Sequence, residues 1–521
     1  MKLKLTFLAL LATLQLIAQE KKDDKKWDIS NPPGSGWNWK PVNFTTNEGT
    51  WMNLDVSPDG KSIVFDLLGD IYTIPLSGGK GVPLRTGIAW EVQPRFSPDG
   101  KKISFTSDAG GGDNIWVMKA DGTDARQVTK EDFRLLNNAV WMPDGEYLVA
   151  RKHFTSGRSL GAGEMWMYHL SGGEGLQLTE RKNDQQDVNE PSVSPDGRYV
   201  YFSEDMSPGG FFQYNKDPNS QIYVIRRYDR QKGKVEDVIT GPGGAFRPQV
   251  SNDGKLLAFL RRVRTETVLW VHNLETGEEY PLFDQLSKDQ QEAWAIFGVY
   301  PGFDWMPQDN EIVIYGLGKI WRVPVMLGAE KPGRVVEIPF EVEVKQQVAE
   351  TVRPRQKAWE ETMDVKVIRH AVTSPDGKWL VFNAAGYLWV KELPNGYPMP
   401  FELKWIDNPN AFLKRPSRRD VSPDFEFEPS FSPDGSKIVF VKWNDEKMGS
   451  FGFYEMPDVK PQVDTSVYDP FADVEPDTNY FTLIKGIIRT PSFSPDGKWI
   501  VFKKEGGNSH QGYTHCKEPG I

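Results

Sequence analysis

A serine inside a Gly-x-Ser-x-Gly string, six histidines and one cysteine are the side chains of this sequence whose types could support nucleophilic or metal-assisted catalysis. Gly157-Arg158-Ser159-Leu160-Gly161 has the spacing of a nucleophile elbow, in which a strand leads into the Ser and a helix leaves it. Here the strand-like run "EMWMYHL", 164 to 170, follows instead, so the string reads as a Gly-rich loop. His510, His515 and Cys516 offer imidazole and thiolate, which zinc accepts, but their spacing fits no familiar structural site and a fourth ligand is missing. "DAGGGDN", Asp108 to Asn114, sets carboxylates among glycines without the regular acidic spacing or distal Glu of a calcium loop. No Gly-Lys-Ser or Gly-Lys-Thr follows it to cradle a phosphate. The remaining histidines, His153, His169, His272 and His370, are scattered. The residues thus nominate no catalytic group and no metal ligand, and leave the binding residues unnamed.

The elements that would position any site are repeated. Ser-Pro-Asp-Gly or a variant of it recurs nine times, with its Asp at 59, 99, 144, 196, 253, 309, 376, 434 and 496 and "MPQD" at Asp309 the most decayed copy. The spacings run from 40 to 67 residues. Pro presets φ for a type I turn, Asp bonds nearby backbone, and Gly takes the left-handed conformation that closes a hairpin. Period-2 alternation follows each turn, as in Lys101-Lys102-Ile103-Ser104-Phe105, and then a further strand-like run such as "NIWVM" at 114 to 118. Several strands per unit at such a period predict an all-β propeller of four-stranded antiparallel blades. Tryptophans 116, 166, 270, 321 and 389 stand at one place in successive repeats, which assigns them to packing between blades rather than to a ligand. "VNFTT", 42 to 46, offers an outer strand that would lock a terminal blade.

Composition agrees. The 521 residues are 38% hydrophobic and 12% aromatic, with 48 Gly and 38 Pro, ample for a strand-rich core punctuated by turns. A net charge of −10 argues against a general nucleic-acid binder, and the basic run Arg261-Arg262-Val263-Arg264 reads as a solvated sheet edge. Lys2 and Lys4 precede an apolar run to Ala18, which suits a secretory signal and is short for a membrane span; no later segment is long and apolar enough. A lone cysteine forbids an intrachain disulfide framework. The expectation is an exported protein, periplasmic or secreted, with no membrane span in the mature chain.

Nine copies exceed a single ring of four to eight blades. The longest interval holds "FEVEVKQQVAETVRPRQKAWEE", 340 to 361, the stretch least like the rest. The organisation expected is a signal over 1–18, a flexible charged segment over 19–40, a six-bladed propeller over 41–340, a connector over 341–361, and a second, truncated set of blades over 362–521; one oversized or spiral array is the alternative. By comparison with the other repeats, the ninth copy reaches Ile521 where its third strand would begin.

The repeated "FSPDGKKIxF…IWVM…RQVT" pattern resembles the TolB-like, or WD40-like, propeller repeat of bacterial envelope proteins over nearly all of the chain after residue 50. Longer strings, among them "EGTWMNLDVSPDGKSIVFDLLGDIYTIPLSGG" and "RKHFTSGRSLGAGEMWMYHLSGGEGLQLT", are similar to the N-terminal half of large exported proteins that join such a propeller to a C-terminal amidohydrolase domain. That resemblance implies a metal-dependent barrel with a His-x-His ligand pair and a divalent ion such as zinc, but no two histidines of this sequence stand two apart. It implies a non-catalytic module for protein or substrate recognition, with a C-terminal hydrolase domain or envelope proteins as partners and a peptide-like or small-molecule substrate. Two other readings stay open: a fragment of an active amidohydrolase whose catalytic domain lies beyond residue 521, and a periplasmic scaffold like TolB. The binding loops expected are those of one rim, including the insertions at 153–163 and 205–220.

Overall fold

A computed structural model describes residues 38–132, 135–155, 161–206, 216–293, 295–325, 333–350, 357, 360, 362–401, 424–444, 448–456 and 487–506. The expected leader, Ser159, His510, His515 and Cys516 lie outside them. The chain divides into two compact units at residue 352, with residues 262–266 grouped with the second. Among the described residues every regular element of more than one residue is a strand.

In the first unit six antiparallel sheets of four strands follow one another. Their innermost strands are Leu54–Val56, Glu91–Phe96, Leu135–Trp141, Val188–Val193, Phe246–Val250 and Asp304–Trp305, which open blades 1 to 6. The strands of each blade then run outward in chain order, so the fold is an all-β propeller. In the second unit the sheets opening with Arg369–Thr373, Phe425–Phe431 and Ile487–Phe493 have four, three and two strands among the described residues; they are blades 7, 8 and 9.

The second strand of each blade shows why a run such as Lys-x-Ile-Val-Phe is apolar on both faces. In blade 1, Val64 packs on Ile103 and Phe105 of blade 2. Val149 of blade 3 meets Val200 and Phe202 of blade 4, and Tyr201 of blade 4 meets Leu257 and Phe259 of blade 5. Val313 of blade 6 shares a cluster with Ile63 and Phe65 of blade 1, which closes the ring. Since a sheet's side chains alternate between faces, one short strand serves two neighbours, and no blade can bury its apolar surface alone.

The turns follow the chemistry read from their composition. Ser97 Oγ donates to Asp99 Oδ1 at 2.7 Å, Asp99 Oδ1 accepts the Lys101 N–H at 3.1 Å, and Ser97 Oγ accepts the Lys102 N–H at 2.9 Å. Gly100 has φ +69°, the left-handed region where a Cβ is disfavoured. The serine hydroxyl and backbone N–H donors hold the Asp99 carboxyl below its ordinary range. Successive turns also nest: a Cβ built on Gly100 would stand 3.5 Å from Pro58, on Gly197 3.5 Å from Pro143, on Gly254 3.5 Å from Pro195, and on Gly60 3.3 Å from Pro307. At the seams of blades 1–2, 3–4 and 4–5 the proline of one turn therefore seats the glycine of the next, and from blade 6 back to blade 1 as well.

The decayed copy is placed differently from its reading in the sequence. Asp309 occupies the glycine position rather than the Asp position, with φ +55° and its N–H bonded to Met306 O at 2.9 Å, as Gly100 bonds Ser97 O. Asn252 stands in the proline position of the preceding turn. Its N–H and Nδ2 donate to Asp309 Oδ1 at 2.8 and 2.7 Å, and the Asp253 N–H donates to Oδ2 at 2.9 Å. Hydrogen bonds thus replace the missing Pro–Gly contact.

Two further segments depart from expectation. "VNFTT" does not complete a terminal blade: Trp39–Thr46 pairs antiparallel with Phe340–Ala349, in register from Trp39 opposite Ala349 to Thr46 opposite Val342. That partner covers the start of the stretch expected to be a connector, and its first residues pair with Gly79 and Lys80. Phe340, Val342 and Val344 are buried while Glu341 and Glu343 are exposed, the alternation of a half-buried strand.

Candidate functional site

The six innermost strands bring polar residues together around the axis of the ring. Four residues before the first position of each turn motif stand Asn53, Gln93, Asn138, Glu190, Arg247 and Gly302, all buried. In blades 2 to 5 this residue has positive φ, 59° at Gln93, 57° at Asn138, 60° at Glu190 and 56° at Arg247, and the pairing register slips there. Each of these four inner strands therefore carries a β-bulge, which at Gln93, Asn138 and Arg247 turns a backbone N–H toward the neighbouring blade. The Gln93 N–H donates to Asp66 Oδ2 at 2.7 Å, the Asn138 N–H to Gln93 Oε1 at 2.8 Å, and the Arg247 N–H to Glu190 Oε2 at 2.7 Å. Burial pushes the Asp66 carboxyl up to about 6.

A second belt lies two residues further on. Arg95 Nη1 donates to Asp55 Oδ1 at 2.8 Å, and Asp55 Oδ2 accepts the Phe96 N–H at 2.7 Å. Asp304 Oδ2 accepts the Val56 N–H at 3.3 Å, the same contact carried from blade 6 to blade 1. Burial, reinforced by the neighbouring Asp55, raises the Asp304 carboxyl well above its ordinary range.

The segment from 295 to 302, between blades 5 and 6, crosses this centre and occupies it with backbone. Asn189 Nδ2 and Asn137 Nδ2 donate to Ile296 O at 2.9 and 3.1 Å, and Gln93 Nε2 donates to Phe297 O at 2.7 Å. Glu190 Oε1 accepts the Val299 N–H at 2.6 Å, and Asn53 Oδ1 accepts the Gly302 N–H at 2.7 Å. Val299 and Tyr300 are buried in the core, so this plug is part of the ring. The polar axis spends much of its hydrogen-bonding capacity on holding the blades and the plug in place.

Beside it, Arg151 is fully buried and donates from Nε to Asp187 Oδ1 at 2.9 Å, with Nη2 2.9 Å from His153 Nδ1. Burial raises the Asp187 carboxyl to about 6 although Arg151 opposes the shift. These groups form a buried ion pair with a histidine. Among the described residues no three His, Cys, Asp or Glu side chains gather to hold a metal, so the residues present do not fit the ion that a hydrolase resemblance implies.

Strand direction alternates, so the Ser-Pro-Asp-Gly turns occupy one rim, and the opposite rim carries the second-to-third strand hairpins, the links between blades and the plug. On this loop-bearing rim, at blade 3, lies a cavity of about 420 Å³ lined by Phe154, Trp166, Arg181 and Glu164 among others. Lys152 Nζ is 4.2 Å from the Trp166 ring centroid, and the Arg181 guanidinium 4.3 Å from that of Phe154. Buried Glu164 accepts from Trp166 Nε1 at 3.0 Å, Gln177 Nε2 at 3.0 Å and Arg181 Nη1 at 2.8 Å. Aromatic faces opposed by cations and anchored by a saturated carboxylate can hold a ligand that is flat or partly apolar and has polar edges.

The insertion expected at 153–163 contributes Phe154 to this cavity, while 156–160 and 207–215 lie outside the described residues. In the first unit Trp116, Trp166, Trp270 and Trp321 pack against clusters shared by adjacent blades, and Trp166 also lines the cavity. Asp108 Oδ1 accepts the Trp90 N–H at 2.7 Å, which makes it a loop fastener. The belts were missed by sequence reasoning. Their trace is a proline after the left-handed residue, in Gln93-Pro94, Glu190-Pro191 and Arg247-Pro248.

Comparison with known proteins accords with this architecture. Residues 43–212 match the family described as TolB beta propeller domain. A protein of Sulfurisphaera tokodaii described as a tricorn-like protease C-terminal subunit is 26% identical over 167 residues, 32% of this chain and 18% of that protein. The uncharacterized peptidase YuxL of Bacillus subtilis is 25% identical over 170 residues, 26% of this chain and 25% of that protein. The matched stretches thus span a quarter or less of these two relatives. The solved TolB of Acinetobacter baumannii aligns with a TM-score of 0.39 at 15% identity, covering 56% of this chain and 65% of that one. Among the described residues no helix is long and apolar enough to cross a membrane. From its repeats and its blades the chain is a β-propeller repeat protein, and the TolB beta propeller domain family is matched over residues 43–212.

Proposed function

We propose that this chain is an exported, periplasmic recognition module that takes a peptide-like or small-molecule ligand at its loop-bearing rim, and that it serves as the non-catalytic part of a metal-dependent amidohydrolase. The observation that carries the reading is the cavity at blade 3, whose size falls within the range of ligand sites and whose aromatic and charged lining is mounted on a rigid ring. The signal-like N-terminus and the amidohydrolase-like strings supply the compartment and the hydrolase partner. Peptide-like compounds that raise the melting temperature of the purified chain should lose that effect in Trp166→Ala and Arg181→Ala variants that melt as the parent does. A ligand whose effect survives both substitutions moves recognition elsewhere. The chain should show no amidase or peptidase turnover, with or without added zinc; turnover abolished by one substitution within it would overturn the non-catalytic assignment.

A further inference from the structure

Blade 6 departs from the axial belt in a way that leaves a buried cation without a counter-charge. Where blades 1 to 5 carry Asn53, Gln93, Asn138, Glu190 and Arg247, blade 6 carries Gly302, which has no side chain. Two guanidiniums converge on the space beside it: a Cβ built on Gly302 would collide with Arg247 Nη2 and stand 2.7 Å from Arg95 Nη2. Arg95 is 6% exposed and Arg247 3%. Asp55 neutralises Arg95 at 2.8 Å. Arg247 donates from Nη1 to Asn138 Oδ1 at 3.1 Å, but among the described residues it forms no ion pair, and its Nε and Nη2 have no acceptor. The carboxylates that attract it are committed to other donors. Glu190 accepts the Val299, Tyr300 and Arg247 N–H groups and the Ser203 hydroxyl, and Asp66 accepts the Asn53 and Gln93 N–H groups and Asn53 Nδ2. Burial, reinforced by Arg95, pushes the Arg247 guanidinium down to about 9, which leaves it cationic at pH 7.

We infer that Arg95 and Arg247, converging beside Gly302 at the axis of the six-bladed unit, form a binding site for a small halide-class anion such as chloride. A charge taken out of water is costly unless it is paired, and Arg247 is the member of the belt whose partner the protein does not supply. The donors come from different blades, Arg95 from blade 2 and Arg247 from blade 5, and a spherical ion accepts N–H groups from both directions at once. The enclosure sets the size: two residues so nearly buried admit a compact ion, whereas a carboxylate on a peptide would need an opening for the chain behind it. The anion takes the place of the polar side chain that Gly302 lacks and ties blades 2 and 5 across the plug. The site lies within the first unit and is independent of the cavity at blade 3.

Native-state hydrogen exchange of the purified chain tests it, with sodium chloride replacing sodium gluconate at constant ionic strength. The readout is a peptide covering Phe246–Val250 in the first unit, and one covering Trp379–Ala384 in the second reports any general salt effect. Above half-saturation each tenfold rise in chloride should slow exchange of the first peptide about tenfold and leave the second unchanged, as linkage to an ion bound only by the folded ring requires. The dependence should vanish in Arg247→Gln, and also in Asn138→Asp, which keeps the guanidinium and supplies its counter-charge. Exchange indifferent to chloride, equal slowing of both peptides, or slowing that survives in either variant overturns the inference. A crystal of the parent chain grown in sodium bromide gives a reading that needs no variant. An anomalous peak within hydrogen-bonding reach of both Nη2 atoms is expected, and a water at that point without anomalous signal overturns the assignment.

Discussion

The seam between blades 5 and 6 offers a test of how the turn motif holds the ring. Asp309→Gly removes an acceptor that takes three donors, the Asn252 N–H, Asn252 Nδ2 and the Asp253 N–H. At an exposed site each is worth about 0.5 kcal/mol net, so the loss is roughly 1.5 kcal/mol. Relief of the left-handed backbone at φ +55° returns about 1 kcal/mol, leaving a small net penalty. Asn252→Pro removes two of the three donors and costs about 1 kcal/mol, with no relief. The double variant restores the Pro–Gly nesting found at the blade 1–2, 3–4, 4–5 and 6–1 seams, where the contact distances are 3.3 to 3.5 Å. It should therefore stand about 1 kcal/mol above the sum of the singles, a coupling within the range for residues in contact. Because the chain has two units, the readout is local: native-state hydrogen exchange of a peptide covering Glu311–Gly316 in the four proteins. If the two penalties simply add in the double variant, the motif does not work as an interlocking pair.

Three further outcomes follow from the same geometry. Gly100→Val should destabilise the ring by about 2 kcal/mol, because a β-branched residue is forced to φ +69°, and urea unfolding checks it against Gly112→Val, where φ is not left-handed and space is open. Arg151→Met should cost about 3 kcal/mol at pH 7 by leaving the Asp187 carboxylate buried without its ion pair, and less at pH 5, where the carboxyl protonates; paired urea titrations at the two pH values read the difference. The folded pKa of Asp66 is raised from 3.8 to about 6, so its carboxyl binds more proton folded than unfolded, and this contribution is complete below pH 3.8 and is lost as pH rises through 6. The urea midpoint should thus be higher at pH 4.5 than at pH 7.5, while the exposed turn carboxyls, held low at Asp59, Asp99 and Asp196, withdraw their own contribution only below pH 3.8.

The blades were legible because their signals are local. Gly100 must be left-handed to close its hairpin, and Lys101-Lys102-Ile103-Ser104-Phe105 alternates with period two whatever surrounds it. The axial belts were not, because they contradict local preference: a residue before proline favours extended backbone, yet Gln93, Glu190 and Arg247 are left-handed under the pull of hydrogen bonds from neighbouring blades. The plug left no mark either, since its axial contacts are made by the carbonyls of Ile296 and Phe297 and the N–H groups of Val299 and Gly302, which every sequence possesses. Phe340-Glu341-Val342-Glu343-Val344 did alternate visibly, but its partner lies some 300 residues away, beyond the reach of any local pattern. At the candidate site, Trp166 was visible as one of a repeated set, and only the fold sets it beside Phe154, Glu164 and Arg181.

The ribbon of Trp39–Thr46 with Phe340–Ala349 imposes an order of events on the growing polypeptide. Its first half is among the earliest described residues to be made, and its second half follows all six blades. Any assembly of blades 1 to 6 during synthesis therefore takes place while the clasp is still open, and a nascent chain halted before residue 340 carries an unpaired edge. Conditions that slow synthesis of the last blade lengthen that exposure, whereas a circularly permuted gene beginning near residue 340 would make both halves of the clasp before blade 1.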